Sequence, residues 1–312
     1  MKIGVAGSVG LDHLMTFPGK FTDSLVAGSL EKVSLSFLVD GLEVRRGGCA
    51  ANIVYGMGVL GLNPVLIAAV GKDWADYDAW LLRHGVDTSH VLISTTQFTA
   101  HFMVTTDTEL NQIASFFPGA MSEARNIELG PIMDKTGRFD IVVISPDDPE
   151  AMLRHSEVCR SQGIAFAADP SQQMARMSGE EIRQLITGAK YLFLNEYELA
   201  LAMQKTGWTD AEILDLVEYR VVTLGSKGAK VESKNGEFVQ VGLAQNDRPR
   251  VAQLFHHEPI ARRLTGGHRQ RARTGWHVAG VVVVLDDHGD PVHRPAHLAR
   301  LAFRVERRRF GA

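Results

Sequence analysis

Short apolar runs separated by longer segments of helical spacing dominate the middle of the chain. Pro64 to Val70, Asp140 to Ser145, Ile164 to Ala168, Tyr191 to Leu194 and Arg220 to Leu224 are the runs. Trp74 to His84, Pro149 to Gln162, Gly179 to Thr187 and Glu196 to Thr206 lie between them and predict helices. Strands that are mostly apolar and alternate with helices predict a parallel sheet covered on both faces. Ligands of such sheets gather beyond the carboxyl ends of the strands. Asp169 and Asn195 fall just past two of those ends.

The first part of the chain follows another pattern. Lys2 to Ala6 predicts a buried strand, followed by Gly7, Gly10 and Asp12. Glycines at this spacing imitate a dinucleotide fingerprint, but that motif needs a helix next, and Pro18-Gly19 breaks the segment early. Leu30 to Arg46, Thr99 to Thr106 and Gln112 to Phe117 alternate and predict further strands. Arg45-Arg46-Gly47-Gly48-Cys49-Ala50-Ala51-Asn52 then runs into the apolar-periodic segment Ile53 to Leu60. A glycine pair before a helix lets backbone approach a ligand, and the first helical turn offers free N–H groups. A plain tight turn ahead of a helix would read the same way. Farther on, Thr223-Leu224-Gly225-Ser226-Lys227-Gly228 leads into Ala229 to Val241, where Asn235-Gly236 between alternating runs signals a hairpin. This turn either offers N–H groups and Lys227 to phosphates or is simply a strand-to-hairpin connection.

Composition narrows the class without naming a ligand. The 312 residues suffice for one large domain with a small appendage. A content of 45% hydrophobic and 22% charged residues is that of an ordinary globular protein, and a net charge of -3 gives no general attraction to nucleic acid or membrane. Cys49 and Cys159 make no disulfide framework and read as free thiols of a reducing compartment. Asp12 and His13 cut the initial apolar run short of a leader, and no window approaches the ~18 apolar residues of a membrane span. The expected location is the cytoplasm.

Three stretches carry a family resemblance: Gly7-Ser8-Val9-Gly10-Leu11-Asp12-His13-Leu14-Met15, Lys32-Val33-Ser34-Leu35-Ser36-Phe37-Leu38-Val39-Asp40 and Phe117-Pro118-Gly119-Ala120-Met121-Ser122-Glu123-Ala124-Arg125. Over about residues 1–243 the chain resembles the ribokinase-like (PfkB) family of sugar and nucleoside kinases, and in particular its bacterial adenosine kinases. The resemblance implies an α/β three-layer sandwich with a mainly parallel central sheet and a small β-lid, about residues 12–46 and 98–118. It implies transfer of a phosphoryl group from ATP, with Mg2+, to the ribose 5′-hydroxyl of adenosine. Ser8, Asp12, Ser36, Gly47, Gly48, Asn52, Phe102, Phe116, Gln172 and Gln173 would hold the nucleoside. Asn195, Thr223, Gly225, Ser226, Lys227 and Gly228 would hold the nucleotide, and Asn195 with Glu198 the metal. An exposed lid edge would suit a homodimer.

The residues themselves leave some of these roles open. Asn195 and Glu198 at i and i+3 supply hard oxygen ligands, but also match an N-terminal capping pair. Phe37, Phe102 and Phe116 fit contacts to a purine or ribose as well as the core of the lid. Arg176 is either a phosphate or base contact or a surface arginine. Ribose or fructose remains an alternative acceptor, and a nucleoside-binding protein without catalysis an alternative function.

The text changes after about Ala244. Lysine stops at Lys234, while thirteen arginines and seven of the twelve histidines fall between Ala244 and Ala312. The family's Thr-Gly-x-Gly-Asp stretch, whose amides form an anion hole and whose aspartate is the base, is due near Arg250 to Pro259. No Gly-x-Gly-Asp occurs there or downstream. Glu258 and His257 lack preceding glycines, Pro259 removes a donor, and Thr265-Gly266-Gly267-His268 lacks the acid. The histidines show no repeated ligand spacing, and the arginines have no interleaved aromatics for stacking nucleotides. Lysine-free, arginine- and histidine-rich text suits out-of-frame reading of G+C-rich DNA. The expectation is a frameshift or replacement beginning between about Gly242 and Arg250, an incomplete or irregular end to the domain, and little or no turnover. Val278 to Leu285 is the one apolar strand predicted in this tail.

Overall fold

A computed structural model describes residues 1–24, 36–241, 251–252 and 283–284. In chain order the strands are β1 (Ile3–Ala6), β2 (Gly10–Thr16), β3 (Gly41–Gly47), β4 (Val65–Ile67), β5 (Ala69–Val70), β6 (Leu92–Ile93), β7 (Ala100–Thr106), β8 (Gln112–Phe117), β9 (Ile141–Ile144), β10 (Ala165–Ala168), β11 (Tyr191–Asn195), β12 (Tyr219–Thr223), β13 (Ala229–Ser233) and β14 (Phe238–Val241). The helices are α1 (Phe21–Ser24), α2 (Cys49–Val59), α3 (Ala75–Arg83), α4 (Leu129–Thr136), α5 (Pro149–Ser161), α6 (Gly179–Ile186), α7 (Glu196–Thr206) and α8 (Asp210–Asp215).

Eight strands form the main sheet in the order β14-β13-β12-β11-β10-β9-β1-β4. The six from β12 to β4 pair in parallel, and the β13–β14 hairpin adds antiparallel at the edge. The hairpin turns at Gly236, where φ is 82°, as the Asn-Gly signal predicts. Alternation along the buried strands sends side chains to two cores. Ile67, Val142, Ile144, Phe166, Leu192 and Leu194 face the layer containing α4 to α8. Leu66, Val5, Ile141, Val143, Ala167 and Phe193 belong to the opposite core, with α2 and α3. The result is the three-layer ribokinase-like α/β arrangement expected from the sequence.

Local chemistry fixes where the helices start. Asp148 accepts from the N–H groups of Glu150 and Ala151, and Pro149 occupies the first turn of α5. Ser178 with Glu181 and Thr209 with Glu212 form capping boxes at α6 and α8.

A second sheet, β3-β2-β7-β8, forms the lid. The residue pattern itself does not predict strand β2, although the resemblance implies a β-lid from about residue 12: Gly10-Leu11-Asp12-His13-Leu14-Met15-Thr16 follows the first strand after Gly7 to Val9. Its pairing with β3 and β7 supplies what its composition does not. The strand predicted over Leu30 to Arg46 is shorter. It begins at Gly41, residues 36–40 are not in a strand, and residues 25–35 lie outside the described part. The run Pro64 to Val70 splits into β4 and β5. Of the predicted tail strand, only the 283–284 pair is described, bonded to residues 251–252; Glu258, His257 and Thr265 to His268 lie outside the described residues. No described helix is long and apolar enough to cross a membrane.

Candidate active site

Polar groups stand beyond the carboxyl ends of five neighbouring parallel strands. Gly7 and Ser8 follow β1, Ser145 to Asp148 follow β9, Asp169 to Gln173 follow β10, Asn195 opens α7 at the end of β11, and Thr223 to Gly228 follow β12. A row of this kind is where a doubly covered parallel sheet holds its ligands. An open depression of about 380 Å³ near Gly163, Gly188 and Glu218 lies at the opposite, amino ends of β10 to β12 and is unrelated to this row.

At one end of the row the lid and α2 form a cradle. The φ of Gly48 is 94°, and a Cβ there would stand 2.5 Å from Val9 Cα and 2.6 Å from the Ser8 carbonyl oxygen. Glycine is therefore required by the chain's own backbone contact, whatever ligand arrives. Ser8 Oγ accepts from the Cys49 N–H at 3.1 Å, and the Ser8 carbonyl accepts from Ala50 N–H at 3.1 Å. Ser8 thus anchors the first turn of α2. Gly47 leaves room for Asp12, whose carboxylate oxygen would lie 2.5 Å from an added Cβ. Tyr77 fixes the same strand end by donating its hydroxyl to the Gly47 carbonyl at 2.9 Å. Asn52 is exposed one turn into α2.

Strand register gathers the lid residues. Asp12 lies opposite Phe102, and Phe102 lies opposite Phe116, so all three share one face of β2, β7 and β8. Phe116 is 51% exposed on that face. Phe37 instead packs against Phe17 and Phe21, with ring centroids 5.0 and 4.9 Å apart, and belongs to the lid's core. Ser36 is exposed on the segment before β3 and makes no hydrogen bond to the cradle among the described residues.

The middle of the row is a buried acidic centre. Asp169 is 1% exposed, and its Oδ2 has no hydrogen-bond partner among the described residues. Burial pushes this carboxyl well above the usual carboxylate range, and the charge of Glu198 adds to the shift. Glu198, 5% exposed, is raised by the same burial, against which the Asn195 N–H acts. The Asn-x-x-Glu pair is a reciprocal capping box: Asn195 accepts from the Glu198 N–H at 2.7 Å, and Glu198 accepts from the Asn195 N–H at 2.8 Å. The capping reading of that motif is the one the structure shows, and it sets the Glu198 charge near the buried Asp169 carboxyl. Burial raises the Cys49 thiol to about 12, with Asp169 as the next contribution, so this cysteine at the base of the cradle is a poor nucleophile.

The turn after β10 connects the centre to the cradle. Ser171 sits at φ 42°, an uncommon value for a residue other than glycine. Gln172 is exposed and accepts from Ser171 Oγ at 2.6 Å, whereas Gln173 is buried with Oε1 unpartnered among the described residues. Lys205 secures this turn from α7 by donating to the carbonyls of Met174, Ala175 and Met177 at 2.7 to 2.9 Å. Arg176 is exposed beside it.

At the far end Thr223 lies in register with Asn195 and donates to the Leu194 carbonyl at 3.5 Å. Gly225, Ser226 and Lys227 are exposed in a tight turn closed by Leu224 N–H to Gly228 O at 2.7 Å. Gly225 and Gly228 have φ of 55° and 91°, which explains both glycines.

Sequence reasoning found Asp12, Gly47, Gly48, Asn195 and the β12 turn through their glycines and polar spacing. It passed over the burial of Asp169 and the clamping role of Lys205, which depend on contacts far along the chain.

Comparison with known proteins agrees with this geometry. The model of the pfkB family of carbohydrate kinases matches residues 9–245. A nucleoside kinase of Methanocaldococcus jannaschii is 30% identical over 236 residues, 75% of this chain and 73% of that protein. The solved structure of Burkholderia thailandensis nucleoside kinase in complex with inosine is 30% identical, with a TM-score of 0.67 over 79% of this chain and 77% of that one. Thermotoga maritima ribokinase, at 19% identity and a TM-score of 0.62 over 80% of both chains, shares the fold. The chain belongs to the pfkB family of carbohydrate kinases, among its nucleoside kinase relatives.

Proposed function

We propose that the chain is built as an ATP-dependent nucleoside kinase, with adenosine as its expected acceptor, and that its catalytic step is impaired. The observation that carries the binding half is the shared face of Asp12, Phe102 and Phe116, with Gly47 against Asp12. A carboxylate to accept from ribose hydroxyls, next to aromatic rings for a base, suits a nucleoside better than a free sugar. The Burkholderia thailandensis relative is described with inosine and with ADP-inosine, which supports a purine nucleoside beside a nucleotide.

In the intact reaction the 5′-hydroxyl oxygen attacks the γ-phosphorus of ATP. The new O–P bond forms as the bond to the β-bridging oxygen breaks, ADP leaves, and the hydroxyl proton passes to a base. Asp12, Gly48 and Asn52 orient the acceptor; Thr223 and the Gly225 to Gly228 turn hold the nucleotide. Asp169, Glu198 and Asn195 fit Mg2+, because a buried carboxylate oxygen without a partner is what a hard cation satisfies. Bound there, the metal would neutralise phosphate charge.

The base and the anion hole are the missing parts, since no Gly-x-Gly-Asp follows the β12 turn anywhere in the sequence. Loss of both costs several powers of ten in rate. A non-catalytic nucleoside-binding protein is therefore the second reading. We attribute the departure after about residue 243 to a frameshift or a replacement of the domain's end. Translation of the coding DNA from codon 236 in all three frames separates the two: a second frame spelling Thr-Gly-x-Gly-Asp means a frameshift. The exposed Leu42, Val44, Ile113 and Phe117 on the other lid face suit a homodimer in the cytoplasm, which sedimentation tests.

The functional test is calorimetric titration with adenosine, inosine, ribose and fructose, paired with a coupled assay for ADP. Saturable purine nucleoside binding with ADP release at background supports the proposal. Adenosine-dependent turnover at an ordinary kinase rate refutes the impairment, and preference for a free sugar refutes the acceptor.

A further inference from the structure

The lid meets the sheet domain through a chain of polar contacts that no step above uses. Asp73, between β5 and α3, accepts at Oδ1 from the Thr99 N–H at 2.8 Å and the Thr99 hydroxyl at 2.7 Å, where the chain enters β7. The Thr99 oxygen in turn accepts from the Gly71 N–H at 3.0 Å. At Gly71 an added Cβ would stand 2.1 Å from Thr99 N, so the connection is in backbone contact. The other Asp73 oxygen lies 3.3 Å from His101 Nε2 on β7. His101 Nδ1 then stands 2.8 Å from Nε2 of His13 on β2, the residue after Asp12.

Proton count decides whether this chain holds. Two imidazoles meeting nitrogen to nitrogen at 2.8 Å share one hydrogen between the facing atoms. With one extra proton on the pair, His101 donates to Asp73 and to His13, and every contact is satisfied. With two, N–H faces N–H and two like charges meet at hydrogen-bond distance. Asp73 itself stays ionised: burial acts to raise its carboxyl, but the Thr99 donors outweigh that and lower it. Other charged groups on the surrounding elements are engaged elsewhere. Arg46 pairs with Asp76 at 2.5 Å, Arg45 with Glu43 at 2.6 Å, and Lys72 lies over the Phe98 ring at 4.3 Å. Asp12 is on the opposite face of β2.

We propose that Asp73, His101 and His13 form a proton-counting latch, in which Asp73 anchors His101 and His101 holds strand β2, and with it Asp12, in place, and that it loosens β2 from β7 when both histidines are charged. His13 and His101 are positioning residues. The consequence for ligand binding rests on Asp12 contacting the nucleoside; the latch itself does not.

Hydrogen exchange of the full-length, ligand-free chain tests the latch directly. On acidification from about pH 7.5 to about pH 5, exchange in residues 10–16 and 100–106 should rise about tenfold after correction for intrinsic rates. Residues 141–144 and 191–195 should not change. H13Q, which keeps a hydrogen-bonding group and loses the charge, should abolish the acid-dependent rise, while H101A should exchange fast at both pH values. Lid exchange in the native chain that ignores pH, or rises equally in H13Q, overturns the proposal. Adenosine affinity should fall about tenfold over the same range in the native chain and less than twofold in H13Q. The expected exchange pattern without any adenosine binding would refute the nucleoside reading and leave the latch standing.

Discussion

The two ends of the ligand row are stabilised in opposite ways. The cradle end is completed by the chain itself: Gly48 lies against the backbone of Ser8 to Gly10, Ser8 caps α2, and Tyr77 holds Gly47. The acidic end is left open by the described residues: among them Asp169 Oδ2 and Gln173 Oε1 are buried without partners, and Asp169 and Glu198 both have raised carboxyls. On the proposed reading, the self-satisfied cradle would recognise a neutral molecule by shape and hydrogen bonds, and the buried acidic centre would take a cation. One end is pre-organised, and the other depends on what binds.

The largest effect should come from breaking the self-built end. Gly48→Ala adds a Cβ at 2.5 Å from backbone in a left-handed conformation, and should cost about 3 kcal/mol of stability. Urea denaturation reads it, and nucleoside binding should vanish with it. Asp12→Asn leaves the fold intact and tests recognition alone. Loss of a charged acceptor should weaken adenosine binding by about 2 kcal/mol, roughly thirtyfold in Kd.

The acidic end predicts a change of the opposite sign. Folded-state values of Asp169 and Glu198 lie above their unfolded ones. Stability linked to them is thus fully present below the unfolded pKa of about 4 and is lost as pH rises through the folded values. Asp169→Asn removes one such group, so it should stabilise the ligand-free chain by about 1 kcal/mol at pH 8 and by little at pH 4. It should also abolish any rise in melting temperature on adding Mg2+. The smallest effect belongs to Lys227→Ala on the exposed β12 turn: under about 0.5 kcal/mol in stability, and about fivefold in ADP affinity.

The same contrast explains what the sequence made legible. Apolar runs such as Ile141–Ile144 and Tyr191–Asn195 announced the parallel sheet because burial on both faces leaves a continuous signal. Strand β2 escaped because Gly10, Asp12 and His13 have no strand pattern of their own, and pairing on both sides imposes it. Helix α4 has no expectation to match it; it carries Gly130 and Pro131 in its first turn, where proline is tolerated. Glycine-marked site elements were readable since backbone geometry dictates glycine locally. The orphaned oxygen of Asp169, the clamp of Lys205 and the meeting of His13 with His101, 88 residues apart, arise only from long-range packing.

The central claim is a nucleoside kinase whose binding end is intact and whose transfer step is not. Its most direct measurement is a single-turnover experiment with excess full-length protein, radiolabelled adenosine, ATP and Mg2+, in which bound adenosine and AMP are quantified from the same samples. The account predicts saturating retention of adenosine with AMP forming at least a thousandfold slower than in a functional kinase. Rapid conversion of the bound adenosine to AMP would contradict it.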